Sequence, residues 1–330
     1  MSVEVEAVYA SRSCVVTGGA GFIGSHVVEA LVRAGARVVA VDDLSVGRPE
    51  NLAGGATLVQ ADVRDEAALR AAFEGADFVF HLAVACLRLS FRDPEHVHDV
   101  NATGTLRALR AARAARARRF VYVSSSEVYG SARGLLREEG TLAPTTVYGA
   151  SKAAGELYAI GFSTSEGLPV TIVRPFNTYG PRSHAAGASG EVIPRFAACV
   201  LAGERPLIFG DGSQTRDFTY VDDTARGIVL AGAAPQAVGA TINLARGRAV
   251  SVATVGRLVA RACGRPELEP SLGPARPADV ISQHAAVDRA RELLGYEAAI
   301  DIEDGLARYV SWVRERGVEV SPAEARTPNW

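Results

Sequence analysis

Cysteine is scarce, and the four present, Cys14, Cys86, Cys199 and Cys263, lie far apart. They form no CxxC pair and no cluster with histidine, which argues against zinc or any other metal and against a disulfide framework. Long apolar runs are absent as well, so no segment reads as a bilayer span and no membrane partner is expected. Neither sign of charge dominates: the formal net charge is −2, which leaves no global basic field for nucleic acid. Six arginines between Arg107 and Arg119 are the exception. Spaced among alanines, they read as the solvated face of a helix and not as an RNA-binding patch. The residues before Cys14 carry Glu4, Glu6 and Arg12 and no apolar core, unlike a signal peptide. The expected location is a reducing cytoplasm.

The 330 residues present are enough for one large domain or two modest ones sharing a cleft. In the first half, short apolar runs at Cys14–Thr17, Val38–Asp42, Thr57–Gln60, Phe78–His81, Phe120–Ser124 and Val170–Arg174 read as buried strands. Helical patterns separate most of them, such as Ile23–Ala34, Glu66–Glu74 and Asn101–Ala117. This alternation predicts an α/β fold, a Rossmann-type doubly wound parallel sheet over residues 1–174. After Arg174 the rhythm breaks into short, Gly- and Pro-rich elements. Ser251 suits the N-cap of a helix Val252–Ala262, and Gly295 suits the residue after a helix ending at Leu294. Residues 175–330 read as a smaller α/β substrate-binding region, with some elements free to interleave between the two parts.

The run Gly18-Gly19-Ala20-Gly21-Phe22-Ile23-Gly24 follows a strand and opens a helix. Gly18 permits a tight turn, Gly21 lets a pyrophosphate approach the backbone, and Gly24 lets helix and strand pack closely. Phe22 and Ile23 are counted with the same site, where the helix N-terminus offers free N–H groups to phosphate. The second strand ends at Asp42, eighteen residues past Gly24. An acid there accepts hydrogen bonds from both ribose hydroxyls and repels a 2′-phosphate, which favours NAD over NADP. Arg48, nearby, is able in principle to hold such a phosphate. After the third strand, Asp62, beside Val63, reads either as a partner of the adenine amine or as a helix N-cap.

Tyr148-Gly149-Ala150-Ser151-Lys152 puts Tyr148 and Lys152 on one helix face. A tyrosine with an ordinary pKa of about 10 needs nearby positive charge to act as a base near neutrality. Ser124-Ser125-Ser126-Glu127 ends a strand upstream, where side chains enter the ligand crevice of such a sheet.

In this order, glycine turn, serine cluster and YxxxK, the chain resembles the extended short-chain dehydrogenase/reductases, especially the nucleotide-sugar epimerases and dehydratases. Asp42-Asp43-Leu44-Ser45 looks like their ribose-binding turn, and His81-Leu82-Ala83 like the strand end passing the cofactor. Pro175–Arg182 and Gly210–Phe218 look like their sugar-nucleotide segments. The resemblance implies NAD as cofactor, Tyr148 as the base with Lys152 as its partner, and Ser125 bonded to the sugar O4. It places Asn177, Arg216 and Arg276 on the diphosphate of a UDP-linked substrate, and Ile193 and Leu207–Phe209 around the nucleobase. It also implies a homodimer through the helices near Asn101–Ala117 and Tyr148–Ile160.

The shared first step would be oxidation at sugar C4. Arg216–Tyr220 and Ser90–Pro94 look epimerase-like, so the expectation is a C4 epimerase of a UDP-hexose or UDP-uronic acid. Ser125-Ser126-Glu127 instead resembles decarboxylases and dehydratases in which a carboxylate works at C5. A nucleotide-sugar dehydratase or a UDP-glucuronate decarboxylase using Glu127 is therefore the alternative. Glu127 equally reads as an orienting carboxylate. Arg88 would face the sugar, to pair with a substrate carboxylate, or lie at the surface. A non-catalytic NAD-binding sensor is a further alternative, disfavoured because Tyr148, Lys152 and Ser125 are all kept.

Overall fold

The computed structural model describes residues 3–52, 54–132, 134–187, 189–275, 280–317 and 321–328. Its centre is a seven-stranded sheet. In chain order the strands are β1 (Ser13–Thr17), β2 (Arg37–Asp42), β3 (Ala56–Gln60), β4 (Phe78–His81), β5 (Arg119–Val123), β6 (Val170–Pro175) and β7 (Thr241–Leu244). Their spatial order is β3-β2-β1-β4-β5-β6-β7, with every neighbouring pair parallel. The order reverses between β1 and β4, and a parallel sheet opens its ligand crevice at such a switch point, beyond the carboxyl ends of the strands.

The strands are apolar on both sides because helices cover both faces. Cys14, Val16, Phe78, Phe80, Val121 and Val123 enter one core. Val15, Val79, Phe120 and Tyr122 enter the other. This period-two division fixes the register, since a slip of one residue would exchange the faces.

β7 comes from the second half of the chain and pairs with β6 from Thr241↔Ile172 to Leu244↔Pro175. Helix Val221–Ala233 packs on the same sheet, so a strand and a helix from beyond Arg174 belong to it. An N-terminal helix, Val3–Tyr9, was not legible; Tyr9 is buried and donates its phenol to the Val229 carbonyl at 2.6 Å.

The arginine-rich stretch needs a correction. Helix Gly104–Ala114 ends before the last arginines, and Arg119 opens β5 as a buried residue. Its guanidinium donates to Thr171 Oγ1 at 3.1 Å and to the Ala234 carbonyl at 3.0 Å, so it closes the end of helix Val221–Ala233.

The second lobe has its own core, in which Phe196, Val255, Leu306 and Val310 meet. Ser251 caps helix Val252–Ala262 by accepting from the Thr254 N–H at 3.1 Å, and Gly295 ends helix Asp288–Leu294 with φ of 59°. Phe22, from the glycine turn, is buried in this lobe's core and joins the two parts of the molecule.

Candidate active site

A cavity of about 680 Å³ opens at the switch point and runs from the glycine turn to the second lobe. Gly18, Gly21, Phe22, Ile23 and Gly24 line one end. Gly18 has φ of 68°, and a Cβ on it would come within 2.8 Å of the Ala83 nitrogen. A Cβ on Gly24 would run into the Gly18 carbonyl oxygen. Only glycine lets turn, strand end and helix approach this closely, and the approach leaves the helix N-terminus facing the cavity.

Asp42 is buried at the end of β2 and lines the cavity with Asp43. Its Oδ2 accepts from the Ala20 N–H and its Oδ1 from the Leu44 N–H, both at 2.9 Å. Burial raises its pKa, and these N–H groups oppose the rise. Each oxygen keeps a lone pair for a ribose hydroxyl. Arg48 is not among the cavity-lining residues. Asp62 and Val63 are, as are Leu82 and Ala83. Asp62 is not a helix N-cap: Asp65 caps Glu66–Ala72, while Asp62 accepts the Arg64 guanidinium at 2.6 Å, which holds its pKa down. The carboxylate of Asp42, the backbone cradle and the walls from Val63 to Ala83 suit a dinucleotide such as NAD.

Helix Val147–Glu166 borders the next part of the cavity. Thr146 starts it by accepting from the Gly149 N–H at 3.0 Å, which points the first turn at the cavity. Tyr148 and Lys152 both line the cavity. Burial drives the Tyr148 phenol far above its ordinary range; the Ser125 hydroxyl opposes that, and the Glu127 carboxylate adds to it. Lys152 is 2% exposed, and burial pulls its ammonium down to about 7. Its Nζ stands 4.5 Å from the centre of the Tyr122 ring. Ser124, Ser125, Ser126 and Glu127 all line the cavity, and the Ser124 hydroxyl is buried without a partner among the described residues. Glu127 accepts the Gln283 side-chain amide at 2.8 Å.

Two buried residues, Asn101 and His81, fix these parts. Asn101, in the π-helical turn Asp99–Thr103, accepts from the Ala85 N–H at 2.8 Å and donates to the Ser151 hydroxyl at 3.0 Å. It ties the loop after β4 to the Tyr148 helix. His81 lies between Thr17 Oγ1 at 2.7 Å and Thr105 Oγ1 at 3.0 Å. Burial takes its pKa to about 3, so the ring is neutral. Because Thr105 gives its own proton to the Asn101 carbonyl, His81 donates from Nε2 and accepts Thr17 at Nδ1.

Asn177, Ile193 and Arg216, from the second half of the chain, line the same cavity, and so does Arg88. The Asn177 Oδ1 is buried without a partner among the described residues, and Arg216 donates to the Thr215 carbonyl at 2.9 Å. Leu207 and Phe209 are not brought in: their strand pairs with Ser271–Gly273, outside the cavity lining. Arg276 lies outside the described residues. The segment after Pro181 is fastened to the glycine-turn helix by Arg182, which pairs with Glu29 at 3.0 Å, and it presents His184 and Glu191 to the cavity.

The model of the family described as NAD dependent epimerase/dehydratase matches residues 14–245. This chain belongs to that family. It is 37% identical to a UDP-glucose 4-epimerase of Mycolicibacterium smegmatis, over 91% of this chain and 98% of that protein. Among solved structures, an epimerase from Methanothermobacter thermautotrophicus superposes with a TM-score of 0.90 at 33% identity, covering 95% of each chain. The UDP-glucose 4-epimerase of Thermotoga maritima, solved with UDP-glucose, gives 0.88 at 34% identity, covering 92% of this chain and 99% of that one.

In this family member the helix that bears Tyr148 is anchored by a buried ion pair. Arg174 on β6 donates to Glu156 through Nε at 2.8 Å and Nη2 at 2.7 Å, and to the Tyr129 phenol at 2.7 Å. Tyr129 in turn donates to Asn243 on β7 at 2.7 Å. The returning strand, the turn after Ser125 and the Tyr148 helix are thus held by one network.

Proposed function

We propose that this chain is an NAD-dependent C4 epimerase of a UDP-linked sugar. The reading rests chiefly on one arrangement: Tyr148 lies one helical turn before Lys152, with the Ser125 hydroxyl against its phenol, in the cavity that begins at the glycine turn. The Gly18–Gly24 cradle and Asp42 would hold NAD⁺, which would accept hydride from C4, return it, and bring a positive ring beside the phenol. Tyr148 takes the proton of the sugar C4 hydroxyl, and Ser125 orients that hydroxyl and passes the proton on. The buried phenol needs positive charge to do so near neutrality, and Lys152 contributes it from the same helix face. Once the ketosugar presents its other face, Tyr148 would give the proton back to the C4 oxygen, which completes the epimerisation.

Asn177 and Arg216 hold the diphosphate, since an amide and a guanidinium fork supply donors suited to phosphate oxygens. Ile193 packs on the base. Residues 175–330 form the substrate side, apart from Val221–Ala233 and β7, which serve the sheet. We read the assembly as a cytoplasmic homodimer through the Tyr148 helix, on which Leu157, Tyr158 and Ile160 are 61%, 37% and 48% exposed. Among the described residues no helix is long and apolar enough to cross a membrane.

The second reading, a dehydratase or decarboxylase, is favoured by one observation: Glu127 stands in the cavity close enough to act on Tyr148. Incubating the NAD-loaded protein with UDP-glucose, UDP-glucuronate and UDP-N-acetylglucosamine separates the two. A mixture of C4 epimers is the expected product. Carbon dioxide, a 4-keto-6-deoxy sugar or an unsaturated sugar would replace the first reading with the second.

A further inference from the structure

Arg88 sits on the turn Leu87–Phe91 beyond β4 and lines the cavity together with Tyr148, Ser125 and Glu127. Its Nε is buried with no hydrogen-bond partner among the described residues. Burial pushes its pKa down, while Glu191, Cys86 and Glu127 push it up. Those same three groups act on the Tyr148 phenol, so Arg88 and Tyr148 share one neighbourhood. The two carboxylates have other partners: Glu127 takes the Gln283 amide at 2.8 Å, and Glu191 faces His184 Nδ1 at 3.8 Å.

A half-buried guanidinium whose Nε donor is shut off from water and left idle is unfavourable unless a ligand completes it. The ligand must be anionic and must reach the neighbourhood of Tyr148. The diphosphate is served by Asn177 and Arg216 in the reading above. On a hexose whose C4 hydroxyl meets Tyr148, the adjacent position able to carry a carboxylate is C5.

We infer that Arg88 is a specificity-determining residue that pairs with a carboxylate on sugar C5, so that the preferred substrate is a nucleotide-linked hexuronic acid. This rests on the C4 reading of the site. The planar fork matches a carboxylate with two parallel hydrogen bonds. Without it, Glu127 and Glu191 would repel that carboxylate, and a neutral hexose would feel little change.

The test is equilibrium binding by titration calorimetry, on the NAD-loaded chain carrying Tyr148→Phe to suppress turnover. UDP-glucuronate is expected to bind at least about tenfold more tightly than UDP-glucose. Adding Arg88→Leu abolishes or reverses that preference while UDP-glucose affinity stays within about threefold. Arg88→Lys, which keeps the charge but not the fork, falls between, and it serves where the leucine variant does not fold. Equal affinity for the two sugars before Arg88 is changed, or an equal loss for both after it, would overturn the inference. The C4 reading fails separately: a retained preference for the uronate with no C4 epimer formed by the unmodified chain removes the epimerase and leaves Arg88 as the carboxylate site.

Discussion

Gln283 donates its side-chain amide to the Glu127 carboxylate at 2.8 Å, across 156 residues of sequence. The contact lets the second lobe orient the one carboxylate on the serine turn. In a C4 epimerase Glu127 acts on the phenol from a distance and takes no proton from carbon. Glu127→Gln should therefore keep kcat within about tenfold, a barrier change near 1.4 kcal/mol. Because Glu127 raises the Tyr148 pKa, the acid limb of the pH–rate profile should move to lower pH in this variant. A loss beyond about a thousandfold with an unmoved limb would make Glu127 a chemical base.

Gly24 offers a test of the cofactor cradle. An alanine there would set its Cβ against the Gly18 carbonyl, a backbone group of the tight turn that cannot easily give way. Gly24→Ala should cost about 1–3 kcal/mol of stability and weaken NAD binding more than UDP binding. Calorimetric titration with each ligand checks it; unchanged NAD affinity would contradict the placement of the pyrophosphate.

Lys152 makes the stability of the ligand-free protein depend on pH. Its ordinary pKa of 10.5 applies to the unfolded chain, and burial brings the folded value to about 7. Between those values the unfolded chain holds a proton that the folded one lacks, so falling pH favours unfolding, and the penalty is complete below about 7. Lys152→Met should accordingly stabilise the protein most near pH 7 and progressively less toward pH 10. Urea midpoints measured across that range check it; a difference independent of pH would contradict it.

The Arg174–Glu156 pair is held by two hydrogen bonds and is almost wholly buried, at 4% and 1% side-chain exposure. Arg174→Met strands the Glu156 carboxylate and should cost about 3–5 kcal/mol, measured by denaturant unfolding. Replacing both partners by apolar residues of similar size should recover much of that loss. A single-variant cost below about 1 kcal/mol would show that the pair does not anchor the helix.

What the sequence disclosed follows the range of each interaction. The glycine turn, Asp42 and the Tyr148–Lys152 spacing are local patterns whose geometry is set by one strand, one turn or one helix, and they were legible. β7 was not, because Thr241–Leu244 is short and acquires its strand character only by pairing with β6. Arg119 read as solvated because it continues the arginine pattern of the preceding helix, although a strand was legible from Phe120; the helix end that takes its guanidinium is 115 residues away. Asn101 and Gln283 were missed for the same reason: their partners are 50 and 156 residues away. Leu207 and Phe209 were assigned to the site by likeness of segment, but the cavity stops short of their strand.

The most direct test of the account is the turnover of Tyr148→Phe, with NAD affinity measured on the same preparation. Removing only the phenolic oxygen should lower kcat by about 10²–10⁴-fold while NAD binds as before. Turnover within threefold of the parent chain, with NAD bound normally, would contradict the assignment of Tyr148 as the group that takes the C4 hydroxyl proton.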